Sequence, residues 1–143
     1  MPELKIQLLR DIPLPAYGRD GDAALDLCAV IEAPTTLAVG DRMWAGTGFN
    51  IAIPAGYVGL VLPRSGLGSR GLTFVNNTGA IDSNYRGEIK LHIINTGVEP
   101  LHISPLDKIA QLLIMPVATV TVTPVDSLDE TVRGTDGFGS SGR

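Results

Sequence analysis

The chain has 143 residues, 44% of them hydrophobic and 18% charged, which is enough for one domain with a real core and excludes a compositionally disordered polypeptide. A formal net charge of −4 excludes a protein whose main work is gripping a nucleic-acid backbone, yet leaves room for a small anionic ligand neutralised by local arginines and a metal ion. The single cysteine, Cys28, excludes an internal disulfide, and no stretch reads as a membrane span or signal peptide, so the expected setting is soluble, reducing and cytoplasmic, without nucleic-acid or membrane partners.

Seventeen Gly and ten Pro are spread as punctuation, which favours many short strands over long helices. In chain order the strand-like runs are "LKIQLLR", "LDLCAVIE", "GFNIAIP", "YVGLVLP", "LTFV", "EIKLHIIN", "PLHIS", "IAQLLIMPV" and "TVTVTPV". In "EIKLHI" the apolar Ile89, Leu91 and Ile93 alternate with Glu88, Lys90 and His92, the pattern of an antiparallel strand with one wet face. "PRSGLGSRG" reads as a turn, and "LTFV" and "GAI" read as a hairpin around a tight "NNTG" turn. "IAQLLIMPV" is read as a strand because Pro105 and Pro116 bracket a brief run. The sum is an all-β sandwich or barrel, residues 1–125, without the strand-helix alternation of a doubly wound fold. After Val125 the composition turns polar and rich in Gly and Ser, so residues 126–143 are expected to be a flexible tail.

A few residues stand out as chemistry. Asp82 in "GAIDSNYRGE" follows a small and apolar run, where its side chain competes for backbone hydrogen bonds; the plain reading is a turn. Arg64, Ser65 and Gly66 offer a guanidinium fork, a hydroxyl and an approachable amide, which suit phosphate oxygens, although a solvated turn uses the same residues. Asn76 or Asn77 could meet a base, with turn chemistry the alternative, and Tyr85 could lie flat against a sugar. Two separated histidines and one cysteine do not make a zinc site, so any metal should be a hard cation carried with phosphate, magnesium keeping most of its water.

Five segments in order, "DAALDLCA", "PRSGLGSRG", "GAIDSNYRGE", "DKIAQLLIMPV" and "RGTDGFGSSG", resemble the motifs of the trimeric deoxyuridine triphosphate nucleotidohydrolases (dUTPases). The resemblance runs over nearly the whole chain. It implies a mostly antiparallel, barrel-like β clip and hydrolysis of dUTP to dUMP and pyrophosphate, which keeps uracil out of DNA and supplies dUMP for thymidylate synthesis. By the resemblance Asp82 is the general base that activates the attacking water, Tyr85 packs on the deoxyribose, and Asn76 and Gly79 belong to the uracil-reading segment. Ser65, Gly66 and Gln111 would contact the phosphates with Arg64 in support, and Asp26 would hold Mg2+ through its water shell. Arg133, Gly139, Ser140 and Ser141 would grip the γ-phosphate while Phe138 stacks on the uracil. A homotrimer with shared sites is implied, with "ATVTVTPV" as a strand exchanged between subunits and the tail closing over the site. Ala24 and Asp136 stand where the family often has Gly, and Ser141 where Thr is common. A related deoxycytidine triphosphate deaminase would carry glutamate at the position of Asp82.

Overall fold

The computed structural model of the chain describes residues 1–137. In chain order they form β1 (Lys5–Leu8), β2 (Leu25–Cys28), β3 (Thr35–Leu37), β4 (Arg42–Ala52), β5 (Tyr57–Pro63), the helix α1 (Ser65–Ser69), β6 (Leu72–Phe74), β7 (Gly79–Ile81), β8 (Glu88–Asn95), β9 (Leu101–Ile103) and β10 (Lys108–Pro116). One sheet has the order β1-β4-β8-β6, a second β2-β10-β5-β7, and β3 pairs with β9. Every pairing is antiparallel, and no sheet closes on itself. Among the described residues no helix is long and apolar enough to cross a membrane.

The expected alternation in β8 holds, with Ile89, Leu91 and Ile93 buried while Lys90 is exposed. Leu27, Phe49, Ile93, Leu101 and Leu112, drawn from all three sheets, share one core, and burying each contributes about 1.5–3 kcal/mol. Two buried polar side chains stitch it: Thr47 Oγ1 donates to the Ile89 carbonyl at 2.8 Å, and Asn95 Nδ2 donates to the carbonyls of Leu37 at 3.0 Å and Glu99 at 2.8 Å. On the opposite face of the first sheet Trp44 sits across from His92, their rings stacked 4.2 Å apart and 11° from parallel, with the indole 63% exposed.

The structure corrects four expectations. The "PRSGLGSRG" turn contains a single helical turn, α1, and β4 begins at Arg42, six residues before the predicted run. "LTFV" and "GAI" are not a hairpin: β6 pairs with β8 and β7 with β5, so the tight turn between them carries the chain from one sheet to the other. "TVTVTPV" forms no strand within the single chain, where Val120, Val122 and Val125 are all exposed. Valine and threonine supply the propensity, but a strand exists only with a partner, and no edge of its own chain receives it.

Candidate active site

Asp82 is the first residue beyond β7, which the pairing of Ile81 with Gly59 of β5 holds in place. The Tyr85 amide donates to the Asp82 carbonyl at 3.1 Å, closing the turn that the sequence announces. Arg86 Nη1 donates to the Ser83 and Tyr85 carbonyls at 2.7 Å each, clamping the loop from its outer side. The Tyr85 hydroxyl donates to the Glu88 carbonyl at 2.8 Å with the ring lying over Gly87, where a Cβ would come within 2.7 Å of the ring carbon Cζ. Asp82 and Tyr85 line one cavity of about 250 Å³ together with Ile81, Glu88 and Lys90. Among the described residues the Asp82 carboxylate has no ion pair or side-chain hydrogen bond, so its lone pairs are uncommitted. Glu88, by contrast, accepts from the Gly48 amide at 2.8 Å.

The neighbouring turn separates the two asparagines. The Asn77 amide donates to the Phe74 carbonyl at 3.0 Å, closing a turn through Val75 and Asn76, and Asn77 itself takes the positive φ of 60 while the Thr78 amide donates to the Asn76 carbonyl at 2.7 Å. Asn76 keeps an ordinary backbone, and its amide nitrogen lies 3.8 Å from the position a Gly79 Cβ would take.

A second cluster forms where β10 runs between β2 and β5. Register places Asp26, Gln111 and Leu62 in one row across three strands, and Gln111 Nε2 donates to the Pro63 carbonyl at 2.8 Å. Arg64 Nε lies 2.9 Å from Asp26 Oδ1 and Lys108 Nζ lies 2.8 Å from Oδ2, a carboxylate held between two cations with only 14% of its side chain exposed. Asp26, Arg64, Ser65, Gly66, Lys108 and Gln111 line a cavity of about 770 Å³. Ala24 lines it as well, without positive φ, so its methyl group is accommodated free of backbone strain. Behind the Asp26–Lys108 pair, Cys28 faces a smaller cavity of about 370 Å³, and burial pushes its thiol above the ordinary value of 9.0.

The sequence-predicted residues thus fall into two groups that share no cavity within one chain: Asp82 with Tyr85, and Asp26 with Arg64, Ser65, Gly66 and Gln111. Asn76, Gly79 and Arg133 line neither of these two cavities. Arg133 lies in the exposed tail, its Nε donating to the Asp136 carbonyl at 2.9 Å. Phe138, Gly139, Ser140 and Ser141 lie outside the described residues. Lys108, Gly87 and Arg86 are the parts that sequence reasoning missed, and only their motif neighbourhood marks them. The described residues hold no group of three or more His, Cys, Asp or Glu able to bind a metal directly. One carboxylate with lone pairs to spare, Asp26, fits instead an ion that arrives on phosphate and keeps its water.

The dUTPase family model matches residues 10–142. A deoxyuridine 5'-triphosphate nucleotidohydrolase of Leifsonia xyli is 50% identical over 139 residues, covering 92% of this chain and 90% of the relative. Another, from Corynebacterium glutamicum, is 49% identical over 140 residues, covering 96% and 93%. Among solved structures, a variant dUTPase of Staphylococcus bacteriophage 80alpha with dUpNHpp superposes with a TM-score of 0.88 at 26% identity, covering 99% of both chains. A variant dUTPase from phage phi11 of S. aureus, described with a coordinated structural Mg(II) ion, gives 0.76 at 26% identity, covering 87% of this chain and 97% of that one. The class is therefore a nucleotide-hydrolysing enzyme on an open, all-antiparallel scaffold. The chain belongs to the dUTPase family.

Proposed function

We propose that this protein hydrolyses dUTP to dUMP and pyrophosphate, and that Asp82 is its general base. The observation that carries this reading is the uncommitted Asp82 carboxylate at the end of β7, sharing a cavity with a Tyr85 ring already fixed at its hydroxyl. Asp82 accepts a proton from one water as that water attacks the α-phosphorus, and the bond to the β-phosphate oxygen breaks. No covalent nucleophile is needed. Tyr85 packs against the deoxyribose where a 2′-hydroxyl would clash, while Asn76, held in the turn beside Gly79, reads the uracil edge.

Ser65, Gly66 and Gln111 hold the phosphates in the larger cavity with Arg64 in support, and Asp26 would hold magnesium carried on them through its water shell. Bound there, the ion supplies charge neutralisation on phosphate oxygens. Arg133, with Gly139, Ser140 and Ser141, takes the γ-phosphate, and Phe138 covers the uracil. The dUpNHpp held by the 80alpha relative supports this substrate, and the single Asp26 carboxylate with acceptor positions to spare supports a hydrated magnesium carried on phosphate. The separation of the two clusters within one chain supports sites completed between subunits of a homotrimer, with residues 117–125 exchanged as a strand. The activity lowers dUTP, which keeps uracil out of DNA and supplies dUMP for thymidylate synthesis.

Incubation with magnesium and each of dUTP, dCTP, dTTP and UTP, followed by product identification, tests the reading. Turnover of dUTP to dUMP and pyrophosphate, with UTP and dTTP poor substrates, is expected. Ammonia release from dCTP, or equal rates on dTTP, overturns it.

A further inference from the structure

Lys108 stands in the phosphate-side cluster without an assigned task. Gln111 pairs with Asp26, and in an unbroken strand Lys108, three positions earlier, would point to the opposite face of the sheet. A register shift between Lys108 and Ala110 breaks that parity: Ile109 and Ala110 are both buried, and Lys108 turns back to the face that carries Asp26 and Gln111. Its ammonium then meets Asp26 Oδ2 at 2.8 Å while Arg64 Nε meets Oδ1 at 2.9 Å, and Arg64 Nη1 donates to the Lys108 carbonyl at 3.1 Å. Each carboxylate oxygen is thereby given one cation and keeps a further acceptor position. A bulge is seldom retained without use, since it leaves a residue of the ladder unpaired.

We propose that Lys108 is a positioning residue for phosphate-borne magnesium: with Arg64 it fixes the Asp26 carboxylate in the orientation that orders the ion's water shell. The inference rests on the reading of Asp26 given above. A lysine present only to attract a triphosphate acts with or without the ion. One that orients Asp26 acts only when the ion is there.

Calorimetric titration of the intact protein with the non-hydrolysable α,β-imido analogue of dUTP, in magnesium and in EDTA, separates the two. The Lys108 side chain is 52% exposed, so Lys108→Met, which keeps the stem, leaves the fold standing, as an unchanged unfolding midpoint will confirm. Lys108→Met should lose about tenfold in affinity in magnesium, the scale of losing a partner that orients a metal's ligand, and little in EDTA. Lys108→Arg should recover part of the loss, and Lys108→Met added to Asp26→Asn should cost nothing more. Equal losses in magnesium and EDTA, no loss, or full additivity with Asp26→Asn each overturn the proposal. Two wild-type outcomes strike earlier: binding that ignores magnesium removes the Asp26 reading, and no binding of the analogue removes the dUTP reading itself.

Discussion

With Asp82 as the proposed base, Asp82→Asn, which keeps size and turn geometry, should lower kcat on the order of 10²–10⁴-fold while nucleotide still binds. Near-normal kcat in that variant removes Asp82 from the role. Gly87 tests the sugar side. A methyl group there meets the Tyr85 ring, so Gly87→Ala should displace the ring and cut the preference for dUTP over UTP by roughly tenfold or more, the scale of about 1.4 kcal/mol, in competition assays. Unchanged selectivity would detach Tyr85 from deoxyribose recognition. The raised Cys28 pKa adds a pH signature. A folded-state value above the unfolded one means stability present below about pH 9 is lost as pH rises through the folded value, so Cys28→Ala should flatten the alkaline fall of the unfolding midpoint. Asp82 was legible because it is poor strand material in an apolar run, and Arg64, Ser65 and Gln111 because their motifs are contiguous. Gly87 and Lys108 were not, since one acts through a ring two residues away and the other through a bulge that leaves no mark in composition.

At the level of elements, β8 could be read directly from alternation because it buries one face of its ladder, whereas β10 was marked by a brief apolar run between prolines, its bulge at Lys108–Ala110 breaking the alternation. The β6–β7 hairpin failed for a physical reason: a tight turn fixes chain reversal but not which neighbour each strand finds, and here the two found different sheets. Strand β10 is the element that both sides of the second sheet depend on, pairing with β2 and β5 at once. Leu112→Ala at its buried centre should therefore cost about 2–5 kcal/mol in denaturant unfolding and loosen the Asp26–Gln111 row together with the core. The tail should behave oppositely. A chain ending at Leu128 keeps all ten strands of the described residues and should unfold at the same midpoint, yet lose most hydrolysis for want of the Arg133 segment. Full activity in that truncation would make "RGTDGFGSSGR" an ordinary terminus.

For the molecule as a whole, the two separated clusters make an assembly prediction. If Asp82 of one subunit works with Arg64 of another, then Asp82→Asn and Arg64→Ala chains, each inactive alone, should regain activity when unfolded together and refolded as a mixture. Random pairing restores roughly a quarter of the sites, so recovery near that fraction is the expected result. No recovery would place both residues of each site in one chain. The exposed valines between Val117 and Val125 fit the same proposal, since strand exchange with another copy would cover such a row. The stacked ring pair on the first sheet has a practical consequence here. Trp44 is the chain's only tryptophan, so all indole emission comes from one outward-facing surface, where an imidazole stacks 4.2 Å away and is expected to quench it. His92→Ala should brighten that emission without moving its maximum, whereas a blue shift on raising protein concentration would signal that the surface has gone dry. The intrinsic fluorescence of this protein is thus a reporter of what touches the β4–β8 face, and a spectrum that stays still during nucleotide titration carries no news about the site.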